Sequence, residues 1–208
     1  MEAEYTKKIE EFLAANKGKR KFVQSIELII NFKGIDFTKV ENRLNLAIPL
    51  PYGRGKNTVV AVFADDPEII SKVQKLNGKV ISSKELPEYA SNASLQRQLL
   101  NYELLAQPSF MPQIAKSLGQ FLGPRNKMPR PITGDIAALI EEISKSVYLR
   151  NKGKYLPTLQ CLIGIETMPA EQIIANADAV LNAIKKKINK QNIKSVYIKA
   201  TMSDVLRL

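Results

Sequence analysis

The sequence predicts an α+β fold in which both ends of the chain build one antiparallel sheet, while the middle forms an inserted α/β domain. Two observations support this division. Short runs rich in branched and aromatic residues near both ends are typical of strands. By contrast, the continuous apolar run from Val59 to Asp65 is typical of a parallel strand buried on both faces. Helical and strand patterns alternate after that run, as they do in doubly wound domains.

The two ends of the chain supply four predicted strands and two predicted helices. The opening segment places its apolar residues on one helical face and ends at Gly18, a residue favoured just after a helix. A second, longer amphipathic helix follows Pro169. Strands are predicted at Phe22 to Phe32, Arg43 to Leu50, Thr158 to Glu166 and Ile193 to Met202. We expect the first two strands to pair, and the whole to form a split α+β sandwich with its helices on one face of an antiparallel sheet.

The middle of the chain is predicted to be a separate domain. Asp66 is placed to cap a helix that begins at Pro67, and further helices and short strands follow. Glycine and basic residues interrupt the apolar pattern on either side of this region. We therefore expect residues 1–55 and 153–208 to form one discontinuous domain and residues 56–152 to be inserted. Flexible joints are expected at Gly53, Gly55 and Gly153.

The charge distribution points to a nucleic-acid partner. The chain carries a net charge of +11, which attracts polyanions. Residues 57–151 hold 11 basic and 9 acidic residues, whereas the flanking segments hold 20 and 11. The positive field is thus expected on the split domain. No apolar stretch approaches the roughly 20 residues needed to cross a bilayer, and the first residues are charged, so we expect a cytoplasmic protein with no membrane partner.

The residue inventory excludes most hydrolytic chemistry. The chain has no histidine, so catalytic triads and histidine-based metal sites are excluded, and we expect neither a catalytic residue, a metal nor a cofactor. The single cysteine, Cys161, lies in an apolar run and is interpreted as a core residue. The segment GRGKNT lacks the glycine spacing of a P-loop, because position 50 is Leu50.

Two alternative functions stay open at this point. One is a nucleotide- or metabolite-dependent enzyme that uses the inserted α/β domain, a fold type that often hosts such sites at its strand ends. The turn from Ala64 to Pro67 lacks the glycines that admit a pyrophosphate, which argues against it. The other is nonspecific binding to DNA through charge alone.

Two predicted strand ends carry a candidate RNA site. Lys21 and Phe22 precede one strand, and Lys199, Thr201, Met202 and Ser203 end another. If the strands are antiparallel neighbours, these ends meet and offer hydroxyl donors, a lysine and an apolar group that presses on a base or sugar. The alternative is that Phe22 and Met202 are core residues.

Two further basic segments have a structural interpretation beside a functional one. The lysines from Lys185 to Lys190 end the long helix, where cations meet the carbonyl end of the helix dipole. The segment from Leu122 to Pro131 combines prolines with basic residues, and both a functional loop and plain loop closure are consistent with it.

Four segments of the chain, spanning nearly its whole length, resemble the stalk-protein family of the large ribosomal subunit (the L-one family), and its archaeal members in particular. One of them, Leu122 to Pro129, is similar to the family's Leu-Gly-Pro-Arg-Gly-Leu-Met-Pro loop. The segments are Lys21 to Glu27, Leu50 to Lys56, Leu122 to Pro129, and Thr201-Met202.

The resemblance implies a ribosomal function. Family members have a split α+β domain holding a Rossmann-like domain, bind large-subunit ribosomal RNA through the split domain, form a mobile stalk near the exit path of deacylated transfer RNA, and can repress their own messenger RNA. A monomer off the ribosome is then expected. Matching positions imply RNA contacts from Phe22, Ser25, Glu27, Gly164, Thr201 and Met202. Glu27 would accept hydrogen bonds from ribose 2′-hydroxyls.

Three positions depart from the family pattern. Ser203-Asp204 stands where the family usually has Gly-Pro, and Tyr52 replaces the histidine of the hinge segment. Ile165 follows Gly164 where a basic residue is frequent. These departures bear on the contact residues and not on the fold.

Overall fold

A computed structural model describes residues 3–56, 58–151 and 156–208, which form a mixed α/β structure with antiparallel and parallel sheets. Its helices and strands are α1 (Ala3–Asn16), β1 (Ser25–Phe32), β2 (Asn45–Pro49), β3 (Val60–Phe63), α2 (Pro67–Lys75), β4 (Lys79–Ile81), α3 (Leu86–Ser91), α4 (Ala93–Leu99), β5 (Glu103–Ala106), α5 (Met111–Ser117), α6 (Gly119–Leu122), β6 (Arg130–Pro131), α7 (Ile136–Lys145), β7 (Ser146–Arg150), β8 (Thr158–Ile165), α8 (Ala170–Lys185), β9 (Ile193–Ala200) and β10 (Val205–Arg207). Among the described residues, no helix is both long and apolar enough to span a bilayer.

The chain divides into two compact units. Unit 1 comprises Met1–Lys56 and Lys145–Leu208, and unit 2 comprises Asn57–Ser144. The second boundary lies before β7 rather than near residue 152, because β7 pairs with β2 and so packs within unit 1. With these bounds unit 1 holds 22 basic and 11 acidic residues, whereas unit 2 holds 9 of each. The whole net charge of +11 therefore belongs to unit 1.

Unit 1 contains a four-stranded antiparallel sheet in the order β10-β9-β1-β8. Side chains of β1 alternate between buried and half-buried, so one face of the sheet is covered and the other is open. The covered face packs against α1 and α8. This core is formed by residues such as Ile9, Leu13, Ile26, Leu28, Ile30, Ile173, Ala177, Val180 and Ile198.

The predicted pairing of the strand at residues 22–32 with the strand at residues 43–50 is wrong. β1 lies between β8 and β9, with Leu28 opposite both Cys161 and Ile198. β2 instead forms a separate two-stranded sheet with β7. The fourth strand of the main sheet is β10, which was missed because a strand of three residues is too short to show an alternating pattern.

Unit 2 contains a four-stranded parallel sheet in the order β4-β3-β5-β6. Every residue of β3 is buried, which confirms the prediction of a strand covered on both faces. Val60 and Val62 pack in one core with Ile136 of α7, whereas Phe63 packs in another with Ile114 of α5. Asp66 caps α2 as predicted, since its carboxylate accepts a hydrogen bond from the backbone N–H of Glu68 at 2.9 Å.

The proline-rich segment from Leu122 to Pro131 is closed by contacts within unit 2. The ammonium of Lys127 donates to the carbonyl of Tyr102 at 3.1 Å and lies 3.5 Å from the carboxylate of Glu103. Asn126 has a φ of 53°, a left-handed conformation that asparagine tolerates better than most residues. The resemblance led us to expect a glycine at this position. Loop closure thus accounts for Asn126 and Lys127.

Cys161 is a core residue, as predicted. Only 7% of its surface is exposed, and burial raises the pKa of its thiol to about 12. The thiolate is the reactive form of cysteine, so both access and ionisation oppose its reaction.

We predict that Cys161 reacts with iodoacetamide at pH 8 only when unit 1 unfolds. Its thiolate fraction in the folded protein is on the order of 10⁻⁴ at this pH, and the reagent cannot reach the sulfur. Alkylation is followed by intact mass, with the protein in guanidinium chloride as the control. Equal rates in the folded and unfolded protein would contradict this assignment.

Candidate RNA interface

The start of β1 and the end of β9 meet, as the sequence predicts. Ile26 pairs with Ala200, and Glu27 pairs with Lys199. Just beyond them, the backbone N–H of Ser25 donates to the hydroxyl of Thr201 at 3.0 Å, and that hydroxyl lies 3.3 Å from the Ser25 carbonyl. The chain therefore presents one continuous surface here. We call it the strand-end patch, formed by Lys21, Phe22, Ser25, Glu27, Lys199, Thr201, Met202 and Ser203.

Two large apolar side chains of the strand-end patch face solvent. Phe22 is 48% exposed and Met202 is 57% exposed. The alternative that they are core residues is therefore wrong. An exposed ring and an exposed thioether beside hydroxyl groups are suited to contact with a base or a sugar.

A buried glutamine, Gln24, fastens the patch to the rest of unit 1. It is 1% exposed, and its Oε1 accepts from the backbone N–H of Met202 at 3.1 Å. Its Nε2 donates to the carbonyl of Asn16 and to the carboxylate of Glu166, each at 3.1 Å. Gln24 thereby joins the end of α1, the end of β8 and the turn after β9. Sequence reasoning missed it, because a single glutamine within the predicted strand from Phe22 to Phe32 gives no sign of its tertiary partners.

Ser203 closes the turn between β9 and β10. Its hydroxyl oxygen lies 2.9 Å from the backbone N–H of Ala200 and 2.8 Å from the carbonyl of Asp204. The hydroxyl thus accepts from the first group and donates to the second. A serine side chain therefore builds this turn, at the position where the resemblance led us to expect Gly-Pro.

The remaining predicted contacts differ in their accessibility. Glu27 and Lys199 are half-buried neighbours on the open face of the sheet. Gly164 is buried, and a Cβ atom there would lie 3.1 Å from the sulfur of Met168 and 3.2 Å from Ile173 Cγ1. Packing against α8 accounts for this glycine, and a side chain there would point into the core.

Basic side chains surround the patch, and sequence reasoning missed three of them, Lys19, Arg20 and Lys56. An open groove of about 610 Å³ beside Met202 is lined by the cations Lys19, Arg20 and Lys199 and by the carboxylate of Asp204. The Arg20 guanidinium donates to the carbonyl of Met202 at 3.4 Å. Lys56 donates from Nζ to Ser25 Oγ at 2.7 Å. The sequence pattern assigned Lys56 to a linker, so its contact with the patch was not expected.

The predicted hinge glycines have left-handed conformations. Gly53 has a φ of 66° and Gly55 a φ of 71°, values that favour glycine over other residues. Both belong to unit 1. Gly153 lies outside the described residues. A hinge at these positions stays a prediction.

Comparison with known proteins identifies the family. The model of the Ribosomal protein L1p/L10e family matches residues 12–204. The chain belongs to this family. Its similarity to an archaeal large ribosomal subunit protein uL1, that of Methanococcus vannielii, is 40% identity over 189 residues, covering 88% of this chain and 87% of that protein. The corresponding proteins of Thermofilum pendens and Pyrococcus horikoshii are each 39% identical, covering 93% and 91% of this chain and 88% of each relative.

Membership in the L1p/L10e family confirms the predicted resemblance and its archaeal type. The match spans both units and every residue of the strand-end patch. The family consists of non-enzymatic ribosomal proteins, which contradicts the alternative of a nucleotide- or metabolite-dependent enzyme.

We predict that Gln24→Leu destabilises unit 1 by about 2 kcal/mol, because it leaves the Met202 N–H and the Asn16 carbonyl without their buried partner. Hydrogen exchange at the Met202 amide should accelerate. Gln160→Leu, on the open face of β8, is the matched control and should change neither quantity. Unchanged exchange at Met202 would show that Gln24 does not hold the turn.

Proposed function

We propose that this protein is a structural constituent of the large ribosomal subunit in the cytoplasm and that it binds a folded segment of large-subunit ribosomal RNA through the strand-end patch. One observation carries the proposal: Phe22 and Met202 are exposed beside the hydrogen-bonded pair Ser25–Thr201. Family membership supports it, as do the names of the archaeal relatives, which are large ribosomal subunit proteins.

The patch separates two kinds of RNA contact. Phosphates would meet cations from Lys21 and Lys199 in the patch and from the neighbouring Arg20, contacts that contribute affinity but little sequence information. Phe22, Thr201 and Met202 form a smaller and mostly uncharged surface that suits a base or ribose placed by the RNA fold. Glu27 would accept hydrogen bonds from 2′-hydroxyls, the groups that distinguish RNA from DNA.

In this proposal the two units have different roles. Unit 1 is the discontinuous α+β RNA-binding domain, and unit 2 is an inserted Rossmann-like domain. The charge division supports these roles, because unit 1 carries the net charge of +11 and unit 2 carries none.

The finer ribosomal roles are part of the same proposal. The protein forms a mobile stalk near the exit site, assists the release of deacylated transfer RNA, and represses its own messenger RNA when that RNA copies the ribosomal shape. Off the ribosome it is a monomer. Support comes from family membership and from a patch that would recognise an RNA shape wherever it occurs.

We predict that Thr201→Val and Met202→Asp each abolish specific binding to a stalk fragment of large-subunit ribosomal RNA. The first removes the hydroxyl that pairs with Ser25, and the second places a carboxylate at the phosphate surface. Binding is measured by filter retention at fixed salt. Lys186→Ala, at the C-terminal end of α8, should change the affinity little. Wild-type affinity in the first two variants would show that the strand-end patch is not the RNA-binding surface.

We predict that the wild-type protein prefers this RNA fragment to a DNA duplex of equal length at matched salt, and that affinity falls as salt rises. Equal affinity for both ligands would favour binding through charge alone.

A further inference from the structure

We infer that Lys56 is an RNA-contacting residue of the same surface and that Asn176 positions it by fastening the segment from Tyr52 to Lys56 onto unit 1. The inference rests on the proposed function and deepens it. Sequence patterns assign this segment to a flexible joint. Three contacts within unit 1 argue instead that it is docked.

The first contact is made by Asn176, which lies fully buried on α8. Its Nδ2 donates to the carbonyls of Gly53 and Ile163, each at 2.8 Å. Its Oδ1 accepts from the backbone N–H of Tyr52 at 3.1 Å. Both amide hydrogens and the amide oxygen are thus used.

An asparagine at position 176 is informative because this position of α8 is fully buried. Asn176 stands between apolar residues of α8 that build the core, where a polar side chain is unfavourable unless its hydrogen bonds are made. An apolar residue would pack there without that cost. The three hydrogen bonds are therefore what asparagine contributes, and two of them hold the Tyr52–Gly53 backbone.

The second contact lies at Gly55. Its φ is 71°, and a Cβ atom built on it would lie 2.7 Å from both Ile165 Cγ1 and Met168 Sδ. The backbone therefore passes directly against side chains at the end of β8 and just after it. Glycine is required here by conformation and by space. The segment is held at a second point, immediately before Lys56.

The third contact is made by Lys56 itself. Its ammonium donates to Ser25 Oγ at 2.7 Å, and the backbone N–H of Ser25 donates to Thr201. Lys56 is exposed, and the partner the structure shows for it is a neutral hydroxyl. A neutral partner leaves the positive charge available to a phosphate. The docked segment thus brings a cation to Ser25 of the strand-end patch.

The experiment measures binding of the full chain to a transcribed stalk fragment of large-subunit ribosomal RNA over a salt series. Lys56→Met keeps most of the side-chain length but removes the charge. We expect the affinity for the RNA fragment to fall about tenfold at low salt. The slope of the logarithm of the association constant against the logarithm of the salt concentration should become shallower by the amount that about one phosphate contact contributes. Lys56→Arg should keep the slope. Lys186→Met, which removes the same charge at the end of α8, is the control and should keep both affinity and slope.

The positioning role is tested with Asn176→Ala alone and combined with Lys56→Met. If Asn176 acts through Lys56, the single substitution weakens binding and flattens the salt slope, and the double variant binds no more weakly than Lys56→Met alone. Val180→Ala, a fully buried position of the same helix, controls for lost packing and should retain affinity below its melting temperature. If Asn176→Ala does not fold, Gly55→Ala perturbs the docked segment from the other side and is expected to show the same coupling.

The outcomes separate the two proposals. If Lys56→Met kept the wild-type affinity for RNA and the wild-type salt dependence, Lys56 would be excluded from the interface. If the losses of affinity caused by Lys56→Met and Asn176→Ala added in the double variant, positioning of Lys56 by Asn176 would be excluded. Either result leaves the strand-end patch intact if Met202→Asp still abolishes binding. Absence of specific binding by the wild-type protein would instead overturn the proposed function.

Discussion

The pairing of β1 with strands from the far end of the chain is the constraint on which unit 1 depends. Ser25 and Thr201, the two hydrogen-bonded residues at the patch, are 176 residues apart in sequence. Closing so long a loop costs conformational entropy, which is offset by the apolar core that the paired strands bury against α1 and α8. The strand-end patch therefore forms only when unit 1 is folded, and a change that disrupts the core beneath it also disrupts the patch.

Sequence patterns identify strands better than they identify partners. The branched residues of β1 and β2 predict extended chain in both, but composition alone does not determine which strand each of them pairs with. Proximity in sequence favours a hairpin, whereas the structure pairs β1 with β8 and β9 and pairs β2 with β7. The prediction for β3 succeeded because a short apolar run without alternation fits a strand covered on both faces and does not fit one with a solvated face.

The residues of the candidate site also differ in how well the sequence predicts them. Phe22, Thr201 and Met202 were predicted to lie together because they lie at strand ends and match a family pattern, and the structure brings these strand ends together. Their contact with RNA stays a prediction. The roles of Gln24 and Asn176 were not predicted, since an isolated amide residue acquires its role only from the backbone groups that tertiary structure brings to it. Gly164 is the opposite case. Its position matches the family pattern and was predicted to contact RNA, but its packing against α8 is sufficient to explain why it is a glycine.

In the proposed function, the division of charge lets unit 1 combine attraction of RNA with discrimination between RNA shapes. Phosphate attraction acts at long range and is blind to sequence, so it is useful to have all the excess charge on the unit that carries the patch. Discrimination needs short-range contacts that are lost when the shape is wrong, and in the proposed function these contacts are assigned to the exposed side chains of Phe22 and Met202. Unit 2 has no net charge and adds little competing attraction, so the proposed RNA partner would be drawn to unit 1, which carries the strand-end patch.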